Sequence, residues 1–472
     1  MSIIQRTRKE GESNVARKIQ RFDANRAFLE NPRRHVLMIT NHGIHQWEIV
    51  PGLVDTGGQN IFVNEMTRAM TELDLKVTII NRGGFPHPVT GEKRSGIDCK
   101  NSNQRILYIE DSTKKFVRKE DMNEQIPKLV DNLYEELQED KLPVDMIISH
   151  YWDGAKIGYL LNERLEQKVQ HVWVPHSLGN IKIKKLKEEE KQELRIFERI
   201  EEEKEILKHV DGVAYTSEEI RRSLKEEYHY ESDIFLPPCV DTDRFFPQRP
   251  EDDDPIWQFL ASEGPRTAQE FKDRYVITEI SRTDHTKRKD VLIKAYKKVR
   301  EKRKDTTLIV AVDEKRRDIA HELHTLIDEL DLSEEITTVG SVMDQLPSIY
   351  AVTSIYCSPS VMEGFGMSVQ EASASAVPVV ASDLIPYATE YLLGDQVETV
   401  PIDGTKEALK KGQGAIVVPS DNVDGFAQAI LYLLENLEEK QKMGVNGYRI
   451  TVPHFTWEKM TENFLNKIGF RV

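Results

Sequence analysis

Glu363-Gly-Phe-Gly-Met-Ser-Val-Gln-Glu371 is the stretch of this chain whose residue types and spacing speak most directly of chemistry. It follows a short apolar run and leads into the small-residue segment Ala372–Ala376, so it reads as a loop entering a helix. Gly364 and Gly366 let backbone approach a ligand closely, and the free amides around Phe365, Met367 and Ser368 at a helix N-terminus can accept a phosphate. Glu363 and Glu371 would then stand at opposite ends of an anion site. That suits a ligand with hydroxyl groups on both sides of a diphosphate, which is the shape of a nucleotide-sugar. The plainer alternative is an ordinary helix start with a capping glutamate. A second piece, Ser281-Arg-Thr-Asp-His-Thr-Lys-Arg-Lys289, places Arg282 and Lys287 five residues apart after a predicted strand, where they can converge on one diphosphate and stabilise it as it leaves. Alone, such a run reads as a solvated basic turn.

The first half of the chain holds a second set. Asp55-Thr-Gly-Gly-Gln59 opens a helix through Gly57, Gly58 and Gln59, after a loop containing His42-Gly43. Ser149-His150-Tyr151-Trp-Asp153 and Pro175-His176-Ser177-Leu-Gly179 each follow a predicted strand directly. Histidines at strand ends are better site candidates than isolated ones. Lys182, Arg195 and Arg199 come next and offer cations for an acceptor phosphate. Arg199 and Glu203 are also spaced i,i+4, so a surface helix pair is the competing reading.

The elements that must position these residues follow from apolar periodicity. Strands are predicted at His35–Thr40, Leu75–Ile80, Val144–Ser149, Val169–Val174 and Gly212–Thr216, with helical spacing over Phe62–Leu73 and a long charged helix over Glu188–Lys208. A second series has strands at Tyr275–Ile280, Thr307–Val312, Ile336–Val339, Ser354–Cys357, Val377–Ala381 and Ala415–Val418. Such alternation implies α/β units with parallel sheets. The expected division is an N-terminal extension over 1–34, a Rossmann-like acceptor domain over 35–247, a linker over 248–272 that includes the acidic run Asp252–Asp254, a nucleotide-sugar domain over 273–455, and a C-terminal helix over 456–472 that packs back on the N-terminal domain.

The chain has 472 residues, 39% hydrophobic and 31% charged, which is a globular balance and room for more than one core. Its net charge of −15 disfavours nucleic acid and anionic lipid over most of the surface, so no nucleic-acid or membrane partner is expected. No apolar run reaches bilayer length and the N-terminus lacks a secretory core, so the expected location is the cytoplasm. The three cysteines, Cys99, Cys239 and Cys357, lie far apart and read as reduced thiols. Nothing has metal-ligand spacing.

Together these motifs resemble glycosyltransferase family 4, from about His35 to Trp457. The resemblance implies two facing Rossmann-like domains with a cleft between them (the B-type fold) and retention of anomeric configuration. Glu363 and Glu371 match the family's E-x7-E signature, and Arg282 with Lys287 its diphosphate clamp. By that likeness Glu371 holds the ribose hydroxyls, Glu363 and the amides of Gly364–Gly366 hold the transferred sugar, and Gly58 also borders the donor. His150 then positions groups near the sugar, and the leaving oxygen itself receives the acceptor proton. Gly57, Gln59, Tyr151, Asp153, His176, Ser177, Lys182, Arg195 and Arg199 are the acceptor set, because the first half looks most like the members that make sucrose phosphate, mannosylfructose phosphate and mannosylglucosyl-phosphoglycerate. The expected partners are therefore a nucleotide-sugar and a phosphorylated small molecule. GDP-mannose is favoured by the His150–Asp153 segment, with UDP-glucose and fructose 6-phosphate as the alternative. No cofactor is obligatory, with stimulation by a divalent cation and homo-oligomerisation left open. Cys239, where relatives often carry glycine, and Asp383-Leu-Ile-Pro386, where many carry Gly-Gly, depart from the pattern. A non-catalytic nucleotide-sugar-binding protein is the rival outside enzymes.

Overall fold

The computed structural model describes residues 23–49, 56–184 and 186–470. Most of the 1–34 extension, Asp55 of the Gly-rich turn, and the last two residues of the chain lie outside the described residues. The chain divides into two compact units, Met1–Pro237 with Met460–Val472, and Pro238–Lys459.

Unit 1 is built on β1 (His35–Ile39), β2 (Lys76–Arg82), β3 (Gly96–Asn101), β4 (Gln104–Ile109), β5 (Met146–His150), β6 (Gln170–Val174), β7 (Gly212–Tyr215) and β8 (Ile234–Phe235). Their order is β3-β4-β2-β1-β5-β6-β7-β8, parallel throughout except for the antiparallel edge strand β3. The strands β1, β2, β4 and β5 are buried along their whole length, as a sheet covered on both faces requires. The helices Gly58–Glu72, Ile126–Asp140 and Tyr151–Asn162 provide cover, with Leu37, Ile147, Leu129, Leu133 and Trp173 in one apolar cluster.

Unit 2 repeats the plan with β9 (Tyr275–Glu279), β10 (Thr306–Ala311), β11 (Ile336–Val339), β12 (Thr353–Ser358), β13 (Val379–Ser382), β14 (Glu398–Pro401), β15 (Ala408–Lys411) and β16 (Ala415–Val418). The order is β11-β10-β9-β12-β13-β16-β15-β14, with antiparallel pairing confined to β15 against β16 and β14. In each unit the chain reverses its winding beside the first strand, at β1/β5 and at β9/β12. Ligands of such sheets bind at the carboxyl ends of the strands flanking that switch. The loops after β1 and β5 carry His42 and the residues following His150; those after β9 and β12 carry Arg282, Lys287 and Glu363.

Three local differences from the sequence expectation have physical causes. The 248–272 segment, read as a linker, holds the helices Pro255–Glu263 and Ala268–Lys272 within unit 2. Asp254, read as part of a solvated acidic run, is an N-cap whose carboxylate accepts from the Ile256 amide at 2.9 Å, with Pro255 at the first helical position. The single long helix expected over Glu188–Lys208 is broken into Glu188–Glu193 and Ile196–Ile206, because Arg195 takes a left-handed conformation with φ of 43°. Within the 1–34 segment, residues 23–30 are helical and Phe28 is fully buried, with the Arg105 guanidinium 4.5 Å from its ring centre.

Near the chain's end, in the helix Trp457–Lys467 and the turn after it, Phe464 and Leu465 are buried. Gln170 donates to the Ile468 carbonyl at 2.9 Å, and Arg34 lies 3.6 Å from the Phe470 ring centre. Among the described residues no helix is long and apolar enough to cross a membrane, and no group of three or more His, Cys, Asp or Glu could hold a metal ion. Among the described residues none of Cys99, Cys239 and Cys357 forms a disulfide.

Candidate functional site

In unit 2, β9 ends at Glu279 and the chain enters the basic loop. Asp284 caps a short turn by accepting from the Thr286 amide at 2.9 Å, which brings Lys287 inward at the turn's end. Lys287 is buried and ion-paired with Glu363. The two loops are tied further by the Val361 amide on the Thr286 carbonyl at 2.8 Å and by Ser360 Oγ on the same oxygen at 3.2 Å. Below them a fully buried pair, Lys289 with Glu279, is completed by Lys289 donating to Ser281 O at 3.1 Å and Oγ at 3.0 Å. Burial lowers the Lys289 ammonium, and Glu279 acts against that. Arg282 is exposed, on the same loop as Lys287.

After β12, Gly364 has open space where a Cβ would stand. Gly366 has φ of 108°, and a Cβ there would come within 2.6 Å of Ile385 Cγ2, so backbone conformation and packing both demand glycine. This bend starts the helix Met367–Ala374, with Met367 and Ser368 in its first turn. The Phe365 ring is buried against Tyr387, Tyr391 and Phe455, so only its backbone is available to a ligand. Glu371 is half-buried, and Tyr350 Oη donates to its Oε2 at 3.4 Å and to the Ser368 carbonyl at 3.2 Å. Burial pushes the Glu371 carboxyl up to about 7, against the opposing pull of Arg244 and the Tyr350 hydrogen bond.

In unit 1, the Gly57 amide donates to Asn60 Oδ1 at 2.9 Å, and Gln59 Nε2 donates to Thr40 Oγ1 at 2.9 Å, fixing the start of the helix Gly58–Glu72. His150 ends β5 fully buried, its Nδ1 2.9 Å from His176 Nε2, with the two rings stacked and Phe62 edge-on to both. Burial, then the neighbouring His176 and His45, keeps His150 far below the usual histidine range, and burial takes His176 to about 3. Both rings are therefore neutral at physiological pH. His150 Nε2 is buried with no hydrogen-bond partner among the described residues. Tyr151 and His176, each within two residues of a strand end, have φ of 63° and 55°, a strained conformation for such side chains.

Asp153 is fully buried and accepts from Asn41 Nδ2 at 3.1 Å, with His42 Nδ1 2.9 Å from its other oxygen. Burial opposes its ionisation, but His42 and Asn41 outweigh that and hold the carboxyl below its ordinary value. The sequence places Asp153 with the acceptor; in the structure its carboxylate is taken up in orienting His42.

Lys182, Arg195 and Arg199 line one small cavity with Lys119, of about 20 Å³, room for a water molecule. Burial works to raise the Tyr151 hydroxyl, and the charges of Arg199, His42, Lys182 and Lys119 overcome it. The Arg199–Glu203 pair is not on the surface as the i,i+4 reading had it. Arg199 Nε donates to Glu203 Oε1 at 2.7 Å and Nη2 to the Ser177 carbonyl at 2.6 Å, while Glu203 also accepts from the Gly179 amide at 2.9 Å and from Tyr228 Oη. Arg195 turns to Glu198 at 2.6 Å. Lys182 is half-buried, and burial lowers its ammonium. Sequence reading missed Lys119, Tyr350 and Arg244, which belong to no spaced motif, and the pairing of Lys289, the last residue of the basic run, with Glu279.

Residues 56–244 match the family model described as Glycosyltransferase Family 4, and residues 263–450 that described as Glycosyl transferases group 1. A mannosylfructose-phosphate synthase of Agrobacterium fabrum is 27% identical over 74% of this chain and 76% of its own length. A probable sucrose-phosphate synthase of Thermosipho melanesiensis is 24% identical over 88% of this chain and 91% of its own. The solved sucrose-phosphate synthase of Thermosynechococcus elongatus shares the fold with a TM-score of 0.72 at 20% identity, over 93% of this chain and 98% of that one.

Proposed function

We propose that this chain is a glycosyltransferase of the group 1 and Family 4 kind, and that it moves a hexose from a nucleotide-sugar onto a small phosphorylated acceptor with retention of configuration, in the cytoplasm. The observation that carries the donor half is the Lys287–Glu363 pair at the switch point of unit 2, beside exposed Arg282 and a glycine-led helix N-terminus. Here a leaving diphosphate meets Arg282, Lys287 and the amides of Gly364–Ser368, while Glu363 accepts from hydroxyls of the transferred sugar and Glu371 from those of the ribose. Each ribose hydrogen bond to the Glu371 carboxylate is worth about 1.5–3 kcal/mol.

The acceptor half rests on unit 1. Burial disfavours protonation of the His150–His176 pair and makes it a weak base, so it positions the reacting groups and the departing diphosphate takes the acceptor proton. Lys182 is the cation best suited to an acceptor phosphate, since Arg199 is already committed to Glu203 and Lys119 to Glu120. Arg195, which lines the same cavity, is paired with Glu198. GDP-mannose is the donor we favour, in keeping with the mannosylfructose-phosphate synthase relative. Glucosyl transfer from UDP-glucose to fructose 6-phosphate is the second reading, supported by the relative named as a probable sucrose-phosphate synthase.

Lys182→Ala is expected to raise the acceptor KM at least ~10-fold for a phosphorylated sugar while leaving that for its dephosphorylated form within about twofold, since a charge-assisted hydrogen bond is lost only in the first case. Initial rates with both acceptors check this. An equal effect on the two would remove Lys182 from phosphate recognition.

A further inference from the structure

Groups from three separate elements close on the main chain around Arg282. Tyr356 of β12, fully buried, donates Oη to the Ile280 carbonyl at 3.2 Å. Lys289, the first residue of the helix Lys289–Lys302, donates Nζ to the Ser281 carbonyl at 3.1 Å and to Ser281 Oγ at 3.0 Å. The Asp313 amide, in the loop after β10, donates to Oγ1 of buried Thr283 at 2.7 Å. The Ser281 carbonyl belongs to the planar peptide unit that joins Ser281 to Arg282, so the Lys289 ammonium sets the direction in which the chain enters Arg282. The Arg282 side chain itself is exposed.

Lys289 stands where stability alone does not favour a lysine. It is buried at the N-terminal, positive end of a helix, and its partner Glu279 is buried as well, so both charges are desolvated. Breaks of this kind are expected at functional sites, where precision of placement outweighs stability. The ammonium has three donors, and three acceptors meet it: the Glu279 carboxylate, the Ser281 carbonyl and Ser281 Oγ, which in turn donates to Glu279. Its hydrogen bonds are thus spent on the loop rather than on a ligand.

We propose that Lys289 is a positioning residue for the diphosphate site, which acts through the Ser281 carbonyl to aim Arg282 at the β-phosphate of a nucleoside diphosphate. This rests on reading Arg282 as a cation of the leaving diphosphate. An arginine on an unsupported loop loses both backbone and side-chain freedom on binding, whereas a fixed main chain leaves only its rotamers to be ordered. The part of Glu279 is to hold the Lys289 ammonium beneath the loop.

A released nucleoside diphosphate carries the charge that develops as the sugar departs, so its binding reports the aim of Arg282. Calorimetric titration with UDP and UMP, and with GDP and GMP, gives the ratio of diphosphate to monophosphate affinity. Replacing both members of the pair, Glu279→Met with Lys289→Met, removes the charges together and strands neither. This paired variant is expected to bind the monophosphates within about twofold of wild type and to lose at least about tenfold in the ratio, the size of one charge-assisted hydrogen bond. Beside Arg282→Ala, which is expected to lower the ratio by itself, the paired replacement should cost nothing further. Ser281→Ala, at a half-buried position, removes the hydroxyl contact alone and should lower the ratio about threefold. A wild-type ratio in the paired variant, an equal loss for monophosphates and diphosphates, or a loss that persists in full beside Arg282→Ala would each overturn the proposal; where the paired variant does not fold, an unchanged ratio in Ser281→Ala does so. If Arg282→Ala itself leaves the ratio at its wild-type value, the reading of Arg282 fails instead.

Discussion

Arg282→Ala and Lys287→Ala are each expected to lower turnover by more than ~100-fold, because each removes a fixed positive charge from the place where a leaving diphosphate accumulates negative charge. The two substitutions should differ in their side effects. Arg282 is exposed, so its removal should leave the thermal midpoint unchanged. Lys287 is buried against Glu363, so its removal also strands a carboxylate that is only 15% exposed and should lower the midpoint measurably. Single-turnover rates with donor bound separate the loss of leaving-group stabilisation from a loss of donor affinity. A wild-type rate constant in either variant would exclude that residue from the chemical step.

Glu203→Ala is expected to destabilise unit 1 by about 3–5 kcal/mol, the range for breaking one partner out of a buried ion pair. Its fully buried carboxylate answers the Arg199 guanidinium, the Gly179 amide and Tyr228 Oη together. Removal leaves the guanidinium charged in a desolvated site and two donors unanswered. The same contacts hold the His176–Gly179 loop through the Ser177 carbonyl, so acceptor use should fall with stability. Urea unfolding followed by far-ultraviolet circular dichroism checks this, with the early transition of the two-unit chain assigned by limited proteolysis. A change below about 1 kcal/mol would mean that the pair is solvated, as in the surface reading of Arg199 and Glu203.

The sheet organisation was legible because its central strands are continuous apolar runs; β1, β9 and β16 begin where the sequence places them, and their ends shift by at most one residue. The edge strands were not, because β3 is largely open to solvent and β15 carries Lys410 and Lys411, so neither has the apolar signature of a buried strand. The acidic run before Pro255 hid a helix cap, since composition was weighed above the Asp-Pro pairing that starts helices. At the site, the elements of unit 2 that depend on local spacing, the glycine bend and the Lys287 turn, could be read directly. Pairings between distant positions could not: Lys287 with Glu363 and Asp153 with His42 are each set by which strands the sheet order brings together. The i,i+4 spacing of Arg199 and Glu203 was visible, yet spacing says nothing of burial, and burial decides that Arg199 is a structural cation rather than a free one.

The most direct measurement is acceptor-dependent release of nucleoside diphosphate, with GDP-mannose and UDP-glucose each offered a set of sugar phosphates and the same sugars without phosphate, and with the product's anomeric coupling read by NMR. The expected result is release that depends on a phosphorylated acceptor, abolished by Arg282→Ala, with the donor's α configuration kept in the product. Equal use of phosphorylated and dephosphorylated acceptors, or a β-linked product from an α-linked donor, would contradict it.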